Sequence, residues 1–374
     1  MPSGRIGSSH VWPACIMLEL QEIHNPAEWD RALAALPAGH ALQSWAWGDF
    51  KSRWGWTAQR LLWTRAGLPA AAAQILRRSI PRTPWSFLYT PKGPAMDYAD
   101  LSLVEQILAG LETYARRRQT LFIKIDPDVR RQVGEPQPNS VLDLTGAGVL
   151  RVLDRRGWRF SPEQIQFRNT IVIDLTPEPE ELLAAMKSKW RYNIRLAGRR
   201  GVELRRGAPA DLDAFYRLYA ATGARDGFLI RPKDYYLDVW SQFLSTGQAE
   251  LLLAVVAGET VAGLMLFVFA GTAWYMYGAS TDQARQLMPN YALQWAAICR
   301  ARERGCRRYD LWGAPDVFDE SDRLWGVYRF KQGFGGEVVQ GLGAFDYPVK
   351  RRLYWAFNEG LPRLRALIRR VKAG

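Results

Sequence analysis

The chain has little histidine or cysteine, and that scarcity removes several kinds of chemistry at once. Its three histidines, His10, His24 and His40, all fall in the first 40 residues. The remaining chain therefore offers no histidine-based metal site and no Ser-His-Asp triad. Three cysteines, Cys15, Cys299 and Cys306, are too few and too scattered for a disulfide framework, and no C-x-x-C pair occurs. That usage suits a reducing cytoplasm. No apolar run reaches the roughly 18 residues needed to span a bilayer. The opening MPSGRIGSSHVWPACIMLEL has one arginine and a short, broken apolar stretch, unlike a secretory signal. Residues 1–16 are expected to form a weakly structured extension before Met17. Acids are also in the minority: 37 Asp and Glu face 50 Lys and Arg, a net charge of +13. Such a surface favours polyanionic partners, whether nucleic acid, a nucleotide-linked substrate or an anionic membrane face.

What is present suffices for two ordinary domains, since 374 residues with 48% hydrophobic side chains can bury two cores. Asn25 caps a short helix that begins at Pro26. After it, QSWAWGDFKSRWGW surrounds Lys51 with Trp45, Trp47, Phe50, Trp54 and Trp56, a pattern that suits a binding element or a tryptophan-rich core edge with snorkelling cations. Three strands follow, over 59–65, 70–80 and 86–89. A helix near 100–118 and a strand, TLFIKIDP, ending at Asp126 complete the block. The second half repeats that order: strands over 250–256, 260–269 and 272–278, a helix over 290–304 and a strand ending near Trp312. We read two copies of one α/β unit. The fold class expected is α/β (α+β): two tandem domains resembling the acetyltransferase (GNAT) fold, with mixed, mostly antiparallel sheets flanked by helices. Both loops between meander and helix lack the R-x-x-G-x-G/A pattern that holds coenzyme A pyrophosphate in true acetyltransferases, so acetyl-CoA is not the expected cofactor.

Between the halves, residues 176–200 read as one helix, with Pro177 at its start and glutamates in its first turn. Met186, Trp190 and Ile194 recur at i+4 beside a stripe of Lys187, Arg191, Arg195 and Arg199. From Lys187 to Arg206 there are eight cations and one acid, Glu203. That face is either solvated or a phosphate-binding surface. Further on, Arg231 and Tyr235 are spaced to share a helix face, and arginine suits bidentate capture of phosphate or carboxylate. Finally, LWGVYRFKQGFGG sets Lys331 between aromatic residues and Gly333, Gly335 and Gly336. It fits a solvated lysine in a glycine-rich hairpin or a dry, donor-rich corner able to stabilise an oxyanion.

The ordered set MKSKWRYNIRLAGRRGV, TGARDGFLIR, WYMYGAS, YDLWGAPD and GVYRFKQGFGG resembles the FemABX family of aminoacyl-tRNA-dependent peptidoglycan-bridge transferases, over about residues 43–347. No insertion of coiled-coil length interrupts 176–206, which makes the chain similar to the armless FemX type. The resemblance implies a first domain of residues 17–163 plus 343–374 and a second of 164–342. It implies transfer of an amino acid from aminoacyl-tRNA to the side-chain amine of a stem peptide on a UDP-linked or lipid-linked muramyl precursor. Lys331 and Phe330 would occupy the transfer centre, and Asp126 the position of an acid near the acceptor amine. Lys51, Arg231, Tyr235 and Tyr277 would bind the precursor. The stripe Lys187, Arg191, Arg195 and Arg199 would meet tRNA. Neither a metal nor any cofactor is required. The expected setting is cytoplasmic. Leu364, Leu367, Ile368 and Val371, interleaved with arginines, suggest a C-terminal amphipathic helix that either packs or rests on the inner membrane face. An N-acyltransferase with another donor, such as acyl-CoA, and a non-catalytic nucleic-acid-binding protein are the alternatives.

Overall fold

The computed structural model describes residues 18–136 and 141–360. The extension over 1–16 and the C-terminal amphipathic segment around Leu364–Val371 lie outside the described residues.

In the first half the order is β1 (Glu19–Glu22), α1 (Pro26–Ala34), α2 (Trp45–Arg53), β2 (Thr57–Arg65), β3 (Leu68–Ser79), β4 (Ser86–Thr90), β5 (Ala95–Met96), α3 (Leu101–Arg116) and β6 (Thr120–Ile125). Then follow β7 (Arg130–Val133), α4 (Leu144–Arg155), β8 (Arg159–Phe160) and β9 (Asn169–Asp174). The second half contains α5 (Pro179–Ala185), α6 (Ser188–Arg199), β10 (Glu203–Arg206), α7 (Leu212–Asp226), α8 (Lys233–Ser245), β11 (Ala249–Val256), β12 (Glu259–Phe269) and β13 (Thr272–Ser280). It closes with α9 (Pro289–Glu303), β14 (Arg308–Asp310), α10 (Trp325–Gln332), β15 (Glu337–Gly341), β16 (Phe345–Pro348) and α11 (Arg351–Trp355).

The repeat extends to turn chemistry. In both halves an antiparallel meander, β2–β3–β4 and β11–β12–β13, leads through one helix to a strand parallel to the last of the three. Three of the hairpins turn on an Ala-Gly pair with both φ angles positive: Ala66-Gly67, Ala257-Gly258 and Ala270-Gly271. Two-residue turns of that hand match the twist of the strands they join. The sheets are ordered β1-β2-β3-β4-β6-β16-β8, with β5 paired to β3, and β10-β11-β12-β13-β14-β9-β15-β7.

Strands cross between the halves. β7 lies within the segment 17–163, yet it pairs with β15 in the second sheet. Conversely, β16 near the chain's end pairs with β6 and β8 in the first. Pro127 ends β6, because proline cannot donate to the ladder, and the chain then leaves the first sheet. A continuous apolar cluster joins the halves: Trp29, Leu33, Leu42 and Phe50 pack with Tyr235, Trp240, Phe243 and Phe267. Arg53 in α2 bonds Asp238 in α8 through both Nε and Nη2, at 3.0 and 2.7 Å, and Trp54 adds its indole N–H at 2.8 Å.

The single helix expected over 176–200 is two. Met186 and Lys187 adopt extended ψ angles of 153° and 142°. Met186 is buried in the second core, and the Lys187 amide donates to the Gly333 carbonyl at 3.0 Å. Tertiary capture of these two residues outweighs helix propensity.

Candidate active site

Lys51, Arg231, Tyr235 and Tyr277 come together from both halves. The Lys51 ammonium donates to the Tyr235 hydroxyl at 3.3 Å and lies 5.4–5.7 Å from the ring centres of Trp47, Phe50, Trp56 and Tyr235. Arg231 precedes α8 rather than sharing its face, but its guanidinium still sits 4.8 Å above the Tyr235 ring. Tyr277 stacks edge-on against Tyr236 and Trp240, and burial, then its neighbours Tyr235 and Tyr219, push its hydroxyl pKa well up. Burial, followed by the charges of Arg231 and Arg78, lowers Lys51 to about 8. Two guanidinium charges converging on a buried ammonium make a corner chemically suited to an anion. Arg78 was not anticipated from the sequence; it reaches the corner because it pairs across the sheet with Phe87 and lies over Trp56.

Asp126 is buried beside this corner. The Trp56 ring lies tilted against Tyr89, centres 6.5 Å apart, and the Tyr89 hydroxyl donates to Asp126 Oδ2 at 3.3 Å. Burial raises the Asp126 pKa, Asp128 adds to the rise, and Lys92 and the Tyr89 bond oppose it. The result is a carboxylate of increased basicity. Lys92 is a second residue that sequence reasoning missed. Its ammonium is 3.9 Å from Asp126 Oδ1, donates to the Phe167 carbonyl at 3.3 Å and lies 5.8 Å from the Trp312 ring centre. Burial lowers its pKa, but Asp126, Asp128 and Asp310 together outweigh burial and raise it. The only signal in the sequence is a lysine in the tight T-P-K-G-P loop that follows β4, where its own φ is +46°.

Lys92, Asp128, Asp310, Trp312 and Gly313 face a cleft of about 1300 Å³ between the halves. His40 packs beside it, 4.5 Å from Trp274 and 5.7 Å from Trp312. A histidine from the first 40 residues thus does reach the seam. Its Nδ1 accepts the Leu42 amide at 3.0 Å, and burial lowers its pKa to about 3, so the ring is neutral.

Lys331 lies on α10, not in a hairpin. Only 5% of it is exposed, and its ammonium donates to the Gly313 carbonyl at 2.8 Å and to the Trp312 carbonyl. Burial lowers its pKa to about 7, with Asp310 pulling weakly the other way. Phe330, its neighbour, turns away: its ring packs 5.1 Å from Tyr291 and 5.2 Å from Phe334. The glycines do not open space for a bound group either. A Cβ on Gly333 would stand 2.1 Å from the Trp190 indole, and one on Gly336 would stand 2.7 Å from Ile171. They admit protein rather than ligand.

Of the basic stripe, Lys187, Arg195 and Arg199 are exposed. Lys187 donates to Gln332, next to Lys331, at 3.1 Å, and Trp190 donates to the Phe330 carbonyl at 2.9 Å, so the start of α6 lies against α10. Arg191 differs. Its guanidinium bonds the carbonyls of Ala184 at 2.9 Å and of Met186, satisfying the end of α5. Arg205 and Arg206 are paired with Asp211 and Glu250. Among the described residues, no group of three or more His, Cys, Asp or Glu could hold a metal ion, and no helix is long and apolar enough to cross a membrane.

A model of the FemAB family matches residues 25–260 and 256–359. The lipid II:glycine glycyltransferase of Staphylococcus aureus (strain COL) is 26% identical over 413 residues, which cover 93% of this chain and 97% of that protein. A crystal structure of FemX superposes with a TM-score of 0.80 at 24% identity, covering 91% of this chain and all of the other. A tandem GNAT protein from the clavulanic acid biosynthesis pathway gives 0.53 at 13% identity and covers 89% of this chain. Both structures share the fold: two acetyltransferase-like units in tandem. With the family matched across both halves, the chain belongs to the FemAB family and is an amide-bond-forming aminoacyltransferase.

Proposed function

We propose that this protein transfers an amino acid from aminoacyl-tRNA to the side-chain amine of a peptidoglycan stem peptide, building an interpeptide bridge on a lipid-linked muramyl precursor. The observation that carries the reading is one continuous wall: Lys51 lies 5.5 Å from the Trp56 ring centre, the Trp56 and Tyr89 ring centres are 6.5 Å apart, and Tyr89 bonds Asp126. An anion held by Lys51 and Arg231 would leave the attached peptide free to extend along that wall, bringing its amine to the raised carboxylate. The name of the staphylococcal relative supports the lipid-linked carrier over the UDP-linked one.

In this mechanism Asp126 takes a proton from the acceptor ammonium. The freed amine attacks the ester carbonyl of the aminoacyl-tRNA, and Lys331 donates its remaining N–H to the tetrahedral oxyanion. The C–O bond breaks, the tRNA terminal hydroxyl leaves with a proton, and an amide remains. Lys187, Arg195 and Arg199, beside α10, would hold the tRNA phosphates. The reaction would take place at the cytoplasmic side of the membrane, where charged tRNA and the lipid-linked precursor meet.

The test is transfer of isotope from charged tRNA to purified lipid-linked muramyl pentapeptide, read by mass spectrometry of the product. Transfer should require intact donor RNA. Sustained transfer after ribonuclease treatment of the donor, or turnover with acyl-CoA alone, would replace this function with that of an ordinary N-acyltransferase.

A further inference from the structure

Away from the cleft, two segments far apart in sequence form one surface. The end of β3 with the β3–β4 connection, residues 77–85, and the segment 350–357 contain six cations and no acid between them. They are in contact: Lys350 lies 5.7 Å from the Trp85 ring centre, and Phe357 is 6.3 Å from Phe87. The surface is firmly mounted. Tyr354 turns inward and donates to the buried Asp346 at 2.9 Å, while the Ile80 amide bonds the Trp85 carbonyl at 2.9 Å across the hairpin. The rest of α11 faces outward, with Trp355 52% and Leu353 41% exposed beside Arg351 and Arg352. Arg82 stands exposed at the hairpin tip.

We infer that this surface docks on an anionic lipid bilayer and sets the height at which a lipid-linked acceptor enters the site, an inference that rests on the lipid-linked reading above. Two features select a membrane over an RNA. Cations interleaved with exposed tryptophan and leucine match the interface between headgroups and acyl chains, whereas a phosphate backbone offers nothing to the apolar side chains. The surface also adjoins the proposed anion site: Phe87 meets Trp56 edge-on, ring centres 5.4 Å apart, and Trp56 borders both Lys51 and Arg78. A carrier whose pyrophosphate sits at Lys51, Arg78 and Arg231 would have its lipid chain emerge beside Trp85 and Trp355, at the depth these residues occupy.

The experiment is flotation of the full chain with phosphatidylcholine vesicles, with and without phosphatidylglycerol, and no substrate. Binding should require the anionic lipid and weaken with salt. Each removed surface cation is worth about fivefold in partitioning, so the triple variant R82Q/R351Q/R352Q should lose roughly a hundredfold. Trp355→Ala should weaken binding at any salt concentration. The triple variant, its folding checked by thermal melting, should still turn over a water-soluble acceptor at the wild-type rate. Unchanged vesicle binding by the triple variant, or equal wild-type binding to neutral vesicles, overturns the inference. So does a loss of tRNA binding in that variant with vesicle binding intact, which would make this an RNA surface. Because vesicle binding is read without substrate, failure of the proposed reaction leaves this result interpretable by itself.

Discussion

Removal of the Lys331 ammonium should slow turnover in a way that depends on pH. Its ammonium has three N–H bonds, two of which go to the carbonyls of Trp312 and Gly313. The third is the one the proposed mechanism gives to the oxyanion. Loss of one such donor typically costs 10²- to 10³-fold in turnover, and Lys331→Ala should show about that loss at pH 6.5, where the wild-type group is charged. Burial has brought the pKa to about 7. Above that value the charged fraction falls roughly tenfold per pH unit, so near pH 9 the wild-type advantage should shrink about a hundredfold and the two enzymes should converge. Lys331→Arg, which stays charged, should lack the falling limb. The same depression has a sign in stability. The unfolded chain holds this proton up to the ordinary 10.5 and the folded chain only to about 7. The cost is therefore full below about 7 and disappears as pH rises to 10.5, giving at most about 1.4 kcal/mol per pH unit in between. Urea midpoints at pH 7 and 9 should show this slope in the wild type and not in Lys331→Met. A ratio of wild-type to Lys331→Ala turnover that does not change with pH, or an activity loss that simply follows a lowered melting temperature, would make Lys331 a strut for the Trp312–Gly313 backbone.

Other outcomes follow from neighbouring groups. Arg231→Ala should weaken precursor binding by about 1.5–3 kcal/mol in calorimetry, the value of a charge-assisted contact. With Lys51 at about 8, wild-type affinity should fall as pH rises past that value, and Lys51→Ala should abolish the dependence. Lys92→Met leaves Asp126, Asp128 and Asp310 facing one another, and loss of a buried partner costs about 3–5 kcal/mol; denaturant melts should show the deficit at pH 7 and its relief as the carboxylates protonate in acid. Lys187→Glu, Arg195→Glu and Arg199→Glu should raise KM for aminoacyl-tRNA and flatten its salt dependence, with the precursor KM unchanged. Arg191→Glu should lower the melting temperature instead.

The repeated architecture was legible because each half spells it locally: alternating strands, Ala-Gly turns, and a capped helix such as α3, whose Asp100 side chain accepts the Leu103 amide at 2.9 Å. The corner at Lys51 was also legible, since its tryptophans crowd one short stretch. What the sequence hid was long-range. Gly333 looks like turn chemistry until Trp190, more than 140 positions earlier, is seen to occupy the space its missing Cβ leaves. Lys92 and Asp310 are unremarkable in sequence and acquire meaning only when the seam buries them together. The helix break at Met186 has the same origin, because it answers to a carbonyl at Gly333 rather than to any local breaker.

The doubling of the unit explains why the site lies where it does. The first half supplies Lys51, Trp56, Tyr89, Lys92 and Asp126; the second supplies Arg231, Tyr235, Asp310, Trp312 and Lys331. The first half alone lacks Arg231 and Lys331, and the second alone lacks Lys51 and the Lys92–Asp126 pair. The hydrogen bond from Lys51 to Tyr235 and the approach of Lys92 to the Trp312 ring both cross the seam. The α2–α8 contact that holds these crossings has an apolar core continuous with both halves and a bidentate Arg53–Asp238 pair. An interface of that kind resists hinge opening. In the proposed reaction the charged tRNA beside α10 and the muramyl peptide beside α2 would then be held by elements fixed to one another, so that each substrate is positioned independently and the two need meet only at their reacting atoms.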